Sequence, residues 1–129
     1  MKRELWFTED GILSKEALDF VNQIKAPVKH RTKIIADIIW LKAMGLDNFI
    51  ECVYLFGSCS KGGATLSSDV DMGIFLREDL SNRSCRYIRA TLRDDTELDV
   101  ETNVVFLSNR VDLSERLYQE IMKGVKLYE

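Results

Sequence analysis

Several protein classes are excluded by what this sequence has little of. Its 129 residues include one proline, Pro27, one histidine, His30, and three cysteines, Cys52, Cys59 and Cys85. Three is an odd number and no C-x-x-C spacing occurs, so the cysteines read as reduced thiols rather than a disulfide framework. The same spacing argues against zinc, because the lone histidine is far from any paired thiols. Apolar runs stay well below the ~18 residues that a membrane span needs. The opening MKRELWFTEDG lacks the apolar stretch of a signal peptide. The expectation is a soluble, cytoplasmic protein without a membrane partner. A basic excess is also missing: 18 Lys and Arg against 21 Asp and Glu leave a net charge of −3. That balance argues against a general nucleic-acid binder.

What is present is the composition of a globular domain, 46% hydrophobic and 30% charged, in a chain long enough for one core. Ser14 predicts a helix cap, with apolar positions Ala17, Leu18, Val21 and Ile24 at helical spacing to about Lys25. Pro27 suits the first turn of a second helix and Gly45 the position just past its end. Ile34, Ile35, Ile38, Ile39, Leu41 and Ala43 predict its buried face. Residues 50–56, IECVYLF, read as a buried strand ended by Gly57. A Gly- and Ser-rich stretch with room for a short helix follows, and then a strand from Asp69 to about Leu76. Ser81 caps a third helix to about Arg93, with Cys85, Ile88 and Leu92 facing inward. A third strand is expected from about Leu98 to Leu107, and a last helix from Asp112 or Ser114 past Leu117, Ile121 and Met122 to Gly124. VKLY is a candidate edge strand. The fold class is therefore α/β (α+β), a small mixed β-sheet packed by helices.

One segment carries chemistry. A buried strand runs into Gly57-Ser58, and a turn containing Lys61, Gly62 and Gly63 follows. Glycines let backbone N–H groups approach a phosphate, a helix start adds free donors and a favourable dipole, and Lys61 supplies a point charge. Asp69-Val70-Asp71 then opens a strand. Residues two apart point to one face, so the two carboxylates converge and call for a cation. Oxygen donors with room for water and phosphate suit Mg²⁺. Each element alone is common, but Gly-Ser and D-x-D at one fixed spacing should arise by chance in roughly one chain of this length in several hundred.

Gly57-Ser58, ten residues, then Asp69-Val70-Asp71 resembles the G-S-x10-D-x-D signature of the polymerase-beta-like nucleotidyltransferase superfamily. The Ser-x-x-Lys-Gly turn and the closing EIMKGVKLYE are similar to its minimal, kanamycin-nucleotidyltransferase-like branch. The resemblance covers residues 50–129, the core of one domain spanning 1–129, with 1–48 as a helical extension. It implies a nucleotidyltransferase fold, Gly57 and Ser58 on the triphosphate with Lys61 as a basic neighbour, and Asp69 and Asp71 on Mg²⁺. It also implies a third carboxylate just before the apolar run of the next strand. Asn103 occupies that place, ahead of VVFL. Asp99 and Glu101 share its face by strand alternation, and Glu101 is the favoured substitute as catalytic residue beside Asp69 and Asp71.

Two functions follow. The first is Mg²⁺-dependent transfer of a nucleoside monophosphate from an NTP, with ATP expected, to a hydroxyl acceptor. By resemblance, that hydroxyl belongs to a HEPN-type helical partner protein of a toxin–antitoxin pair. The alternative is a non-catalytic nucleotide-binding antitoxin or regulatory module that acts by protein–protein contact; Asn103 favours it, since an amide cannot serve as a general base. A homo-oligomer is compatible with either. Other features read more blandly. Arg83, Arg86, Arg89 and Arg93 form a solvated helix face, with docking of an acidic partner as the sharper reading. Trp6 and Phe7 anchor a terminal segment. His30, among Lys29, Arg31 and Lys33, reads as surface, and Cys59 as a small packed residue.

Overall fold

A computed structural model describes residues 1–94, 97–108 and 114–129. Helices α1 (Lys15–Asn22) and α2 (Val28–Ala43) precede strand β1 (Ile50–Phe56). The short helix α3 (Ser58–Lys61), strand β2 (Val70–Leu76) and helix α4 (Asn82–Arg93) follow, and then β3 (Thr102–Leu107), α5 (Glu115–Met122) and β4 (Val125–Tyr128). The four strands form one sheet in the order β3-β2-β1-β4. β1 pairs antiparallel with β2 and with β4, while β2 and β3 run parallel, joined by the α4 crossover. The sheet is mixed, as the sequence predicts.

Strand alternation divides the core in two. Val53 and Leu55 of β1, Val70, Met72 and Ile74 of β2, and Val104 and Phe106 of β3 pack with α1, α2 and α4. Tyr54 and Leu107 pack on the opposite face with Ile121 of α5. That face depends on Gly73, where an added Cβ would come within 2.9 Å of Ile121 Cγ2. The caps are local. Ser14, Ser81 and Ser114 each accept a bond from the N–H three residues on, which satisfies one of the donors that a helix start leaves over. The other expected start of α5, Asp112, lies outside the described residues. Trp6 is fully buried and its ring N–H donates to Leu127 O at 2.8 Å, so it does anchor the N-terminal segment, against β4. No described helix is long and apolar enough to cross a membrane.

Three sequence expectations are corrected. α1 stops at Asn22 rather than near Lys25, consistent with the approach to Pro27, which disfavours helix at the residue before it. β3 starts at Thr102, not Leu98: residues 97–99 form a turn, with Asp99 at φ 54°. The buried face of α2 is not wholly apolar. Ile39 is 41% exposed and Ala43 is exposed, whereas His30, Lys33 and Asp37 are buried with Ile34, Ile38 and Leu41. Burial of those charges is tolerated because they satisfy one another. Lys33 Nζ donates to an Asp37 carboxylate oxygen and, at 2.7 Å, to Leu92 O, while Asp37 accepts from Thr102 Oγ1 at 2.6 Å.

Removing one member of a buried ion pair strands the other charge, at a cost of about 3–5 kcal/mol. Lys33→Met is therefore expected to lower unfolding free energy by about that much, measured by urea denaturation. Lys126→Met, which breaks the exposed Lys126–Glu129 pair, should barely move the midpoint. Equal midpoints for the two variants would contradict a buried charge network.

Candidate functional site

The site lies where β1 ends and β2 begins. Antiparallel pairing sets Phe56 opposite Asp71, so the next residue, Gly57, lies directly beside that carboxylate. Gly57 has φ 73° and ψ −158°, a region essentially restricted to glycine, and a Cβ there would land on Asp71 Oδ2. Glycine is thus required twice, for its backbone and for its missing side chain. Ser58 starts α3, where the Ser60 N–H donates to Gly57 O at 3.1 Å; Gly62, left-handed at φ 84°, closes it.

The parallel register aligns Val70 with Thr102 and Asp71 with Asn103. Asn103 Nδ2 donates to Asp69 Oδ2 at 3.1 Å and to Asp71 Oδ1 at 3.4 Å, so the three side chains meet. Asp69 is exposed and Asp71 half-buried. Burial pushes the Asp71 carboxyl above its ordinary range; the Asn103 bond opposes this and the neighbouring Asp69 charge reinforces it. Cys59 is buried, and its Sγ donates to Asp69 O at 3.4 Å. Burial and the Asp71 and Asp69 charges raise its thiol to about 11. It is a packed residue, as the sequence predicts.

Three residues weighed for the site lie elsewhere. Glu101 precedes β3, and its carboxylate pairs with Arg93 Nε at 3.6 Å while its backbone carbonyl accepts from Val70 N–H. Asp99 is in the turn before it. Strand alternation does not carry either to Asn103, because the strand has not yet begun. Lys61, at the far end of α3, pairs with Glu120 of α5 at 2.8 Å, both side chains exposed. Of the four arginines on α4, Arg93 holds Glu101 and Arg89 lies 5.1 Å over the Phe106 ring, so half of that face is folded back onto the β3 segment.

His30 escaped sequence reasoning. It is fully buried, with Nε2 2.7 Å from Ser68 O, the carbonyl immediately before Asp69. Basic neighbours at 29, 31 and 33 suggested a solvated face. Its i, i+3, i+4 spacing with Lys33 and Ile34 was the available signal.

The donor set suits a hard cation. Among the described residues no group of three His, Cys, Asp or Glu side chains forms a cluster, so the trio offers two carboxylates, with the Asn103 amide nitrogen turned toward both. Mg²⁺ commonly binds one or two carboxylates and completes its shell with water and phosphate oxygens, and the missing Cβ of Gly57 leaves room for the Asp71 carboxylate.

The family profile of polymerase beta nucleotidyltransferases matches residues 41–129. The chain belongs to this family. Solved structures agree on the nucleotidyltransferase fold. A crystal structure of a toxin–antitoxin with AMP-PNP aligns at 27% identity and TM-score 0.55, covering 71% of this chain and 70% of that one. A mutant MntA-HpeT toxin–antitoxin structure aligns at 25% identity and TM-score 0.52, with the same coverage. No curated protein matches the chain. His30 and α1 lie outside the matched family region.

Two outcomes follow from the geometry. Gly57→Ala should lower stability by about 1–3 kcal/mol through backbone strain and displace Asp71; chemical denaturation and calorimetric titration with Mg²⁺ and AMP-PNP would record both. Asp71→Asn should act oppositely on the free protein. Its carboxyl binds a proton more tightly folded than unfolded, so stability falls as pH rises through that window and the deficit persists at neutral pH. Asp71→Asn is therefore expected to raise the thermal midpoint at pH 7 and to flatten its decline above pH 4. A lower midpoint would show that the carboxylate stabilises the fold.

Proposed function

We propose that the protein is a Mg²⁺-dependent nucleotidyltransferase that moves a nucleoside monophosphate from an NTP, ATP first, to a hydroxyl on a partner protein. The observation that carries this reading is the convergence of Asp69, Asp71 and Asn103 beside the Gly57 turn. In it, Asp69 and Asp71 hold the cation and Gly57 and Ser58 take the triphosphate. Bound there, Mg²⁺ would offset the charge of the triphosphate and of the leaving pyrophosphate. The acceptor oxygen loses its proton to solvent water as it bonds to the α-phosphorus, the bond to the bridging oxygen breaks, and pyrophosphate departs. The nucleotide is supported by the AMP-PNP in one structural neighbour, and a protein acceptor by the toxin–antitoxin context of both. A HEPN-type helical toxin is the partner we propose.

Asn103 is the third side chain in this mechanism, in place of Glu101. An amide accepts no proton from the acceptor, and a missing general base typically costs about 10²–10⁴-fold. Slow transfer is therefore expected. The same residue favours a second reading, a nucleotide-binding antitoxin that neutralises its partner by contact alone.

The test is transfer of label from α-radiolabelled ATP to a co-purifying partner. Asp69→Asn with Asp71→Asn should abolish Mg²⁺-dependent AMP-PNP binding and any transfer. Asn103→Asp should speed transfer by about 10²-fold or more, and Glu101→Gln should change little. Nucleotide binding with no transfer by wild type or Asn103→Asp would select the contact-only antitoxin; loss of turnover in Glu101→Gln would return that residue to the site.

A further inference from the structure

His30, Lys33 and Asp37 are spaced three and then four residues apart, which sets them on one face of α2. Each holds a segment that leads into or frames the site. His30 Nε2 meets Ser68 O at 2.7 Å, and Ser68 immediately precedes Asp69. Asp37 accepts from Thr102 Oγ1 at 2.6 Å, and Thr102 immediately precedes Asn103. Lys33, between them on that face, ties Asp37 to Leu92 O near the end of α4, the helix that links β2 to β3. Cys59 holds the next carbonyl along, Asp69 O, from the α3 side.

Stability alone does not account for His30. A carbonyl only accepts, so Nε2 carries a proton and donates. Nδ1 is buried with no hydrogen-bond partner among the described residues. An unsatisfied buried polar atom carries a desolvation cost, and an apolar side chain of similar size would avoid it. What the ring contributes is one directed bond to the peptide before Asp69.

We propose that the buried polar stripe His30, Lys33 and Asp37 positions the Asp69–Asp71–Asn103 site by holding the peptides that precede Asp69 and Asn103. These are positioning residues, and the segment that supplies them lies before the matched family region. The inference rests on the trio being the cation site, and the experiment separates the two. In ¹⁵N-labelled protein without nucleotide, the Asn103 side-chain amide resonances report its bonds to both carboxylates.

His30→Phe keeps a ring and removes the donor. It should shift or broaden the Asn103 amide pair and weaken Mn²⁺ binding with AMP-PNP at least tenfold, with an unchanged or higher thermal midpoint. His30→Gln, whose amide can donate to Ser68 O, should recover much of both. If His30→Phe does not fold, Thr102→Val, which removes the bond at the other anchor, should give the same two changes. Wild-type Asn103 resonances and Mn²⁺ affinity in a folded His30→Phe would overturn the proposal. So would a lower midpoint with those resonances unmoved, since the stripe would then be only a brace. If wild type binds no cation, the cation reading fails, and the Asn103 resonances alone decide whether the stripe positions the trio.

Discussion

The parallel pairing of β2 with β3 sets Asp71 opposite Asn103, and the electrostatics of the site follow from that register. Two carboxylates on one strand face repel, and Asp71 is half-buried, which raises the cost of its charge. A single amide bonded to both offsets part of that cost. A register shift of one residue would put Asn103 on the other face of the sheet and Val104 beside the aspartates. The α4 crossover and the anchors of α2 both act on this pairing.

Several features around the candidate site cost stability. Gly57 holds a backbone conformation that other residues avoid, burial pushes the Asp71 carboxyl above its ordinary range, and His30 Nδ1 is buried without a partner among the described residues. Around them the fold is well satisfied: serine caps start three helices, and the Lys33–Asp37–Thr102 network closes its own charges. Unfavourable local choices gathered around one turn and one strand pair are what a binding site on a stable scaffold looks like.

Asn103 has a double meaning in this arrangement. Its bonds hold the carboxylates together, yet it supplies no proton acceptor. The chain belongs to a family of nucleotidyltransferases. Glu101, although acidic and close in sequence, precedes β3 and makes an exposed pair with Arg93 on the last turn of α4.

Much of this was legible in residue order alone. Period-two and period-3.6 apolar patterns report strands and helices, because burial of one face is a local requirement. Gly57-Ser58 with Asp69-Val70-Asp71 reports the site, because a close backbone approach and two same-face carboxylates are written within fifteen residues. The start of β3 was not legible: Asp99, Val100 and Glu101 alternate like a strand, but a turn at Asp99 and the Arg93 pair take them out of it. Nor was the burial of His30, Lys33 and Asp37, whose partners Ser68, Leu92 and Thr102 lie 38, 59 and 65 residues away. A charged side chain is buried only if a distant segment satisfies it, so only the tertiary structure decides which of two chemically similar faces turns inward.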